Sequence, residues 1–145
     1  MGRYASLYRR GSMWFAHPCN GYEGRALQAA EPFLATTGEA GPTAVARMLR
    51  LALGESRDDI EDLERRDTLA PMYGILGVRS WRAFAKAVTY VEVRAGNDTL
   101  TLKPQLLVEP KCYFTGIPGA DITIPASATD DELGLAVLEA FARIG

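Results

Sequence analysis

Val88-Thr89-Tyr90-Val91-Glu92-Val93-Arg94, then Ala95-Gly96-Asn97-Asp98, then Thr99-Leu100-Thr101-Leu102-Lys103: this stretch decides the fold class. Two strictly alternating runs flank a segment of turn residues. Alternation at period two is the mark of a strand with one buried face, and Gly-Asn-Asp between two such runs closes a β-hairpin. Downstream, Leu106–Glu109, Cys112–Thr115 and Asp121–Ile124 supply up to three further short strands, punctuated by Pro110, Gly116, Pro118 and Gly119. Upstream, Tyr4–Tyr8 alternates in the same way, and Ser12–Ala16 continues it past Gly11.

Helices flank these strands. Thr129-Asp130-Asp131-Glu132 is a capping box, in which Thr129 accepts from the Glu132 N–H and Glu132 reaches back to the Thr129 N–H. Leu133, Ala136, Val137, Ala140, Phe141 and Ile144 follow as an apolar stripe at three-four spacing. Gly134 interrupts that helix at a cost of about 1 kcal/mol against alanine, so a neighbour is expected to pack closely there. Gly41-Pro42-Thr43 opens a second helix over Ala44–Leu53, closed by Gly54. The spacing of Ala26, Leu27, Ala30, Phe33 and Leu34 predicts a helix over Arg25–Thr37, with Pro32 forcing a break or a late start. Gly21 and Gly24 punctuate the loop before it. Ser56 reads as the N-cap of another helix, with Asp58 and Asp59 in its first turn and only Ile60 and Leu63 apolar, hence a surface helix. Ser80 caps a short turn in which Trp81, Phe84 and Ala85 are expected to face inward. The order of elements indicates an α+β protein: a single domain over residues 1–145, mainly antiparallel β-sheet packed against helices, with a C-terminal amphipathic helix.

The 145 residues, 48% of them hydrophobic, make one ordinary domain that buries about two-thirds of its unfolded surface without a metal or disulfide. No apolar run approaches the roughly 18 residues that span a bilayer, and the opening segment lacks an export signal, so a cytoplasmic protein with no membrane partner is expected. Cys19 and Cys112 form no CxxC pattern and read as buried thiols. With His17 they are the only zinc-type ligands, too few for a structural site, and no cofactor motif accompanies them. His17 and Cys19 share one face of an extended segment, which leaves a Cys-His pair geometrically open; no nucleophile elbow or phosphate loop supports it.

Charge is segregated. Residues 55–67 hold seven acids (Glu55, Asp58, Asp59, Glu61, Asp62, Glu64 and Asp67) against three arginines, and residues 121–145 are equally acidic in net terms. No lysine or arginine cluster of nucleic-acid type is present. The acidic segment is either a solvated face or a surface for a basic protein partner, and composition alone fits both.

One further pattern is not forced by helix or strand physics. The run Asp121-Ile122-Thr123-Ile124-Pro125-Ala126-Ser127-Ala128-Thr129-Asp130-Asp131-Glu132-Leu133-Gly134-Leu135-Ala136-Val137-Leu138 joins a strand, a proline, a capping box and an intrahelical glycine. It resembles the immunity proteins of bacterial contact-dependent growth inhibition systems, and Ser80-Trp81-x-x-Phe84-x-Lys86 before an alternating strand is similar to that family's middle region. The resemblance implies a protein without catalysis that binds the C-terminal toxin domain of a cell-surface effector, commonly a nuclease; the alternative reading is a non-enzymatic interaction domain or a subunit of another bacterial complex. It transfers no catalytic residues, and family interfaces vary with each toxin. A nuclease cleft is lined with Lys and Arg, so the expected toxin-binding residues are Asp58, Asp59, Glu61, Asp62 and Glu64, with Tyr73 as an exposed apolar anchor.

Overall fold

The computed structural model describes residues 2–23, 25–62, 64 and 66–145. Gly24, Leu63 and Arg65, to which the sequence assigns a loop and a surface helix, lie outside the described residues. The described chain runs β1 (Arg3–Arg10), β2 (Met13–Tyr22), β3 (Arg25–Ala29), β4 (Leu34–Thr37), α1 (Pro42–Glu55), α2 (Ala70–Leu76), α3 (Trp81–Ala87), β5 (Thr89–Ala95), β6 (Thr99–Val108), β7 (Tyr113–Gly116), β8 (Ile122–Pro125) and α4 (Asp130–Ala142).

The strands form one antiparallel sheet in the order β3-β2-β1-β5-β6-β7, with β4 also on β2 and β8 also on β6. Both edges are therefore split. β4 pairs with Met13–Ala16 and β3 with Cys19–Tyr22 of the same strand; β8 pairs with Thr99–Leu102 and β7 with Gln105–Val108. Pro18 and Pro104, which have no N–H to donate to a ladder, sit at the two breaks. Each contributes its carbonyl instead, Pro18 to the Ala30 N–H at 2.9 Å and Pro104 to the Ile117 N–H at 3.2 Å.

Alternation gives the sheet two unlike faces. Ala5, Leu7, Trp14, Ala16, Val91, Val93, Leu100 and Leu102 point to the inner face, where α1 and α4 cover them with Val45, Leu49, Leu133, Val137 and Phe141. Trp14 and Phe141 meet edge to face at 4.9 Å. The other face is apolar only at one end, where Tyr8 and Phe15 lie under Met72, Tyr73 and Leu76 of α2 and Phe84 of α3. The rest of it carries His17, Ser6, Glu92 and Lys103 in one row across β2, β1, β5 and β6.

The helix predicted over Arg25–Thr37 does not form; the segment makes β3 and β4. The ten-residue β2 offers a whole edge of unpaired N–H and C=O groups, and satisfying them outweighs a helical pattern already interrupted by Pro32. Among the described residues no helix starts at Ser56. Ser56 instead caps the C-terminus of α1, and the described acidic residues after it lie outside any helix, with Asp59 in an isolated bridge to Tyr22. Leu106–Glu109 is largely the continuation of β6 rather than a separate strand. Ser80 does cap α3, accepting from the Ala83 N–H; Phe84 and Ala85 are buried, but Trp81 stays 36% exposed with its indole N–H on the Cys112 carbonyl. The capping box at Thr129 is complete.

Gly134 sits where α4 crosses the start of α1, and a Cβ there would lie 2.7 Å from the Pro42 carbonyl oxygen and 2.8 Å from its carbonyl carbon. Backbone at that distance has nowhere to move cheaply. Gly134→Ala should therefore destabilise the fold by about 1–3 kcal/mol in urea unfolding, despite the better helix propensity of alanine. Gly54→Ala in α1, where nothing lies within 4 Å, should be neutral or stabilising. Equal stability of the two variants would contradict this packing.

Candidate functional site

The acidic stretch after α1 is tied down by backbone groups that the sequence pattern does not reveal. Ser56 Oγ accepts from the Tyr4 N–H at 2.9 Å and donates to the Cys19 carbonyl at 2.7 Å. The Gly21 N–H donates to the Arg57 carbonyl and the Ile60 N–H to the Gly21 carbonyl, both at 2.9 Å. Asn20 Oδ1 accepts from the Arg57 N–H at 2.9 Å, and the Gln28 amide clamps both the N–H and the carbonyl of Glu64. With only Ile60 and Leu63 apolar, the stretch has too narrow a stripe for a helix to bury, and like charges three and four apart oppose coiling. Lying along β2 and β3 satisfies its backbone instead. Asn20 and Gln28, the polar side chains that place it, carry no sequence signature.

The expected contact residues are placed unequally. Asp58 is half-buried. Asp59 is exposed and pairs with Arg57 at 3.1 Å; that hydrogen bond holds its carboxyl below the usual range. Glu64 is exposed and paired with Arg66. Glu61 and Asp62 are exposed and have no ion pair among the described residues. Tyr73, expected as an exposed anchor, is instead buried in α2, and its hydroxyl donates to Asp67 Oδ2 at 2.7 Å. Burial and that carboxylate together push its phenol above the ordinary range.

A trench crosses the open face from one split edge to the other. Its first part lies between the acidic stretch and β3, lined by Asn20, Gln28, Phe33, Asp62, Glu64 and Thr68. The middle has Ser6, Tyr8, His17, Cys19 and Tyr90 as its floor, Asp67–Leu69 as a wall and Glu92 at its far side. The last part runs from Glu92 past Lys103, Gln105 and Phe114 to Gly116–Gly119 and Asp121. Consecutive parts share Gln28 and Ala29, then Glu92, so they lie next to one another across the open face.

The floor is a hydrogen-bonded cluster in which every side chain is spoken for. His17 Nδ1 lies 2.8 Å from the Pro18 carbonyl, which can only accept, so Nδ1 carries the proton and Nε2 accepts from the Tyr8 hydroxyl at 3.0 Å. Ser6 Oγ lies 3.3 Å from Cys19 Sγ and 3.1 Å from the Tyr90 hydroxyl. Cys19 Sγ is 4.0 Å from His17 Nδ1, the nitrogen already protonated, so the imidazole is not aimed to take the thiol proton. Burial also pulls the His17 pKa down to about 4 and pushes the Cys19 thiol up to about 11, keeping both groups neutral. Activation of a Cys nucleophile needs the reverse shifts. Cys19 and Cys112 are both free and buried. Among the described residues no cluster of three His, Cys, Asp or Glu side chains is placed to hold a metal ion, and no helix is long and apolar enough to cross a membrane.

The model of the family described as CDI immunity protein matches residues 3–143. Among solved structures, the chain is similar to a protein of unknown function, NMB0488, from Neisseria meningitidis, with a TM-score of 0.80 and 16% identity over 100% of this chain and 96% of that one. It is equally similar to a chain of a CdiA-CT/CdiI toxin and immunity complex from Yersinia pseudotuberculosis, with a TM-score of 0.81 and 16% identity over 100% and 98%. At that identity the likeness shows the fold. No curated protein sequence matches the chain.

The buried imidazole makes stability depend on pH in a fixed direction. His17 is lowered from 6.5 to about 4 because burial penalises its charged form, with the Pro18 carbonyl opposing in part. The unfolded chain takes up this proton near its ordinary pKa while the folded chain refuses it, so the contribution is complete above that pKa and is lost as pH falls towards the folded value. Between about pH 7 and about pH 5 the parent should lose roughly 2 kcal/mol that His17→Gln does not lose, measured by urea unfolding. Parallel pH profiles for the two proteins would refute the assignment.

Proposed function

This chain belongs to the CDI immunity protein family, and we propose that it binds the toxin domain of a contact-dependent growth inhibition effector, covering the toxin's active site with its acidic trench. The reading takes the toxin to be a basic nuclease and the site of action to be the cytoplasm of the producing cell, where the immunity protein works without catalysis. A nuclease must attract a polyanion, so its cleft presents Lys and Arg, and a protein that displays carboxylates can occupy that cleft in place of phosphate.

The observation that carries this reading is the different employment of two equally acidic segments. At the start of α4, Asp130 is held by Arg47 Nε at 3.3 Å and Arg50 Nε at 3.0 Å, and Asp131 accepts from Thr43 Oγ1 at 2.6 Å. Those acids stabilise the chain's own fold. Asp62 lines the trench and Glu61 precedes it; both are exposed with no ion pair among the described residues, on a stretch whose backbone is pinned by Asn20 and Gln28. Fixed, unpaired charge at the mouth of a depression supports recognition of a partner of opposite sign.

The test uses the C-terminal domain of the effector encoded by the neighbouring reading frame. Glu61→Lys with Asp62→Lys should leave folding intact, slow association with that domain by about tenfold or more at low salt, and weaken protection of growing cells. The difference should shrink as salt is raised. Unchanged association at low salt would move the interface elsewhere, and a toxin domain that cleaves neither RNA nor DNA would remove the nuclease from the reading.

A further inference from the structure

Glu92 stands midway along β5 on the open face, and the trench passes it on both sides: it borders the pocket floored by Tyr8 and His17 and also the one beside β7. Strand register puts Ser6 next to it on β1 and Lys103 next to it on β6. Each neighbour that could satisfy its carboxylate is engaged elsewhere. Lys103 Nζ pairs with Asp121 Oδ2 at 3.4 Å, and the Arg94 guanidinium lies over the Tyr4 ring at 5.7 Å. Ser6 Oγ is shared between Cys19 and Tyr90. Among the described residues no hydrogen bond or ion pair reaches the Glu92 carboxylate, although the residue is half-buried. Burial raises its carboxyl above the ordinary range even with Lys103 and Arg94 opposing.

A half-buried carboxylate without a hydrogen bond weakens the protein that carries it, and the attraction of Lys103 and Arg94 offsets its burial only in part. We propose that Glu92 is the anchoring site for a basic side chain of the partner, an arginine guanidinium that enters the trench between the 67–69 wall and the 116–119 turn. A guanidinium suits the position because its planar fork meets both carboxylate oxygens and its weak hydration makes half-burial cheap. The Tyr90 ring beside Glu92 adds an aromatic surface for the incoming group. This assignment rests on the toxin-binding reading and deepens it: Glu61 and Asp62 attract the partner at the rim, whereas Glu92 holds it at the centre.

The two roles separate kinetically. Glu92→Gln keeps the shape and removes the charge. It should leave thermal stability unchanged or raised, weaken binding of the neighbouring-frame toxin domain by about 30-fold or more, and do so mainly through faster dissociation. The rim double variant changes association instead. Two results overturn the assignment while leaving toxin binding in place: a Glu92→Gln protein that binds within about threefold of the parent, or one whose melting temperature falls, which would make Glu92 a structural residue. A parent protein that fails to bind the toxin domain removes the broader reading along with this one.

Discussion

The register of β1 against β5 is the constraint from which the rest of this molecule follows. Leu7 opposite Val91 and Ala5 opposite Val93 send four apolar side chains inward, while Ser6 opposite Glu92 and Tyr8 opposite Tyr90 send polar and aromatic ones outward. A slip of one residue in β5 would drive Glu92 under α4 and expose Val91 and Val93 to water, so burial specifies the pairing strongly. With that register set, the inner face closes under α1 and α4. The outer face is coverable only where Tyr8 and Phe15 give α2 and α3 something apolar to cover. Its middle stays open because its row of side chains is polar.

Two breaks frame that open middle. Pro18 and Pro104 divide the outer edges of β2 and β6, and the chain leaves the sheet at each break before returning. The acidic stretch between α1 and α2 lies on one side of the trench, and the Gly116–Asp121 turn at the second break lies on the other. On the inner side the opposite economy holds: the close crossing at Gly134 and Pro42, with Asp130 between Arg47 and Arg50, uses both the space and the charge within the fold. Charge is consumed internally in one place and displayed in another, and net charge per segment does not separate the two cases.

Much of the fold was legible where local physics and tertiary demand agree. The hairpin of β5 and β6, the capping box at Thr129, the stripe Leu133-Val137-Phe141 and the close approach at Gly134 all follow from periodicity and capping alone. The misreadings fall where tertiary demand overrides local pattern. Ala26, Leu27 and Ala30 keep helical spacing, but β2 needed edge partners, so the segment became β3 and β4. The acidic run after Ser56 looks like a capped helix because Ser and Asp favour helix starts, yet the same serine terminates α1 and bonds to β1 and β2. Tyr73 could not be read as buried without knowing that α2 covers Tyr8 and Phe84. The acidic residues were visible at once, whereas the trench depends on Glu92, which in sequence is only one polar position in an alternating strand.

The central claim is that partners dock on the open face of the sheet. Hydrogen–deuterium exchange of this protein, alone and saturated with the neighbouring-frame toxin domain, tests it most directly. The account predicts slowed amide exchange on complex formation in residues 57–69 and 116–121, which wall the trench at its two ends, with the outer surfaces of α1 and α4 unchanged. Protection confined to α1 and α4, with the trench walls exchanging as they do in the isolated protein, would contradict it.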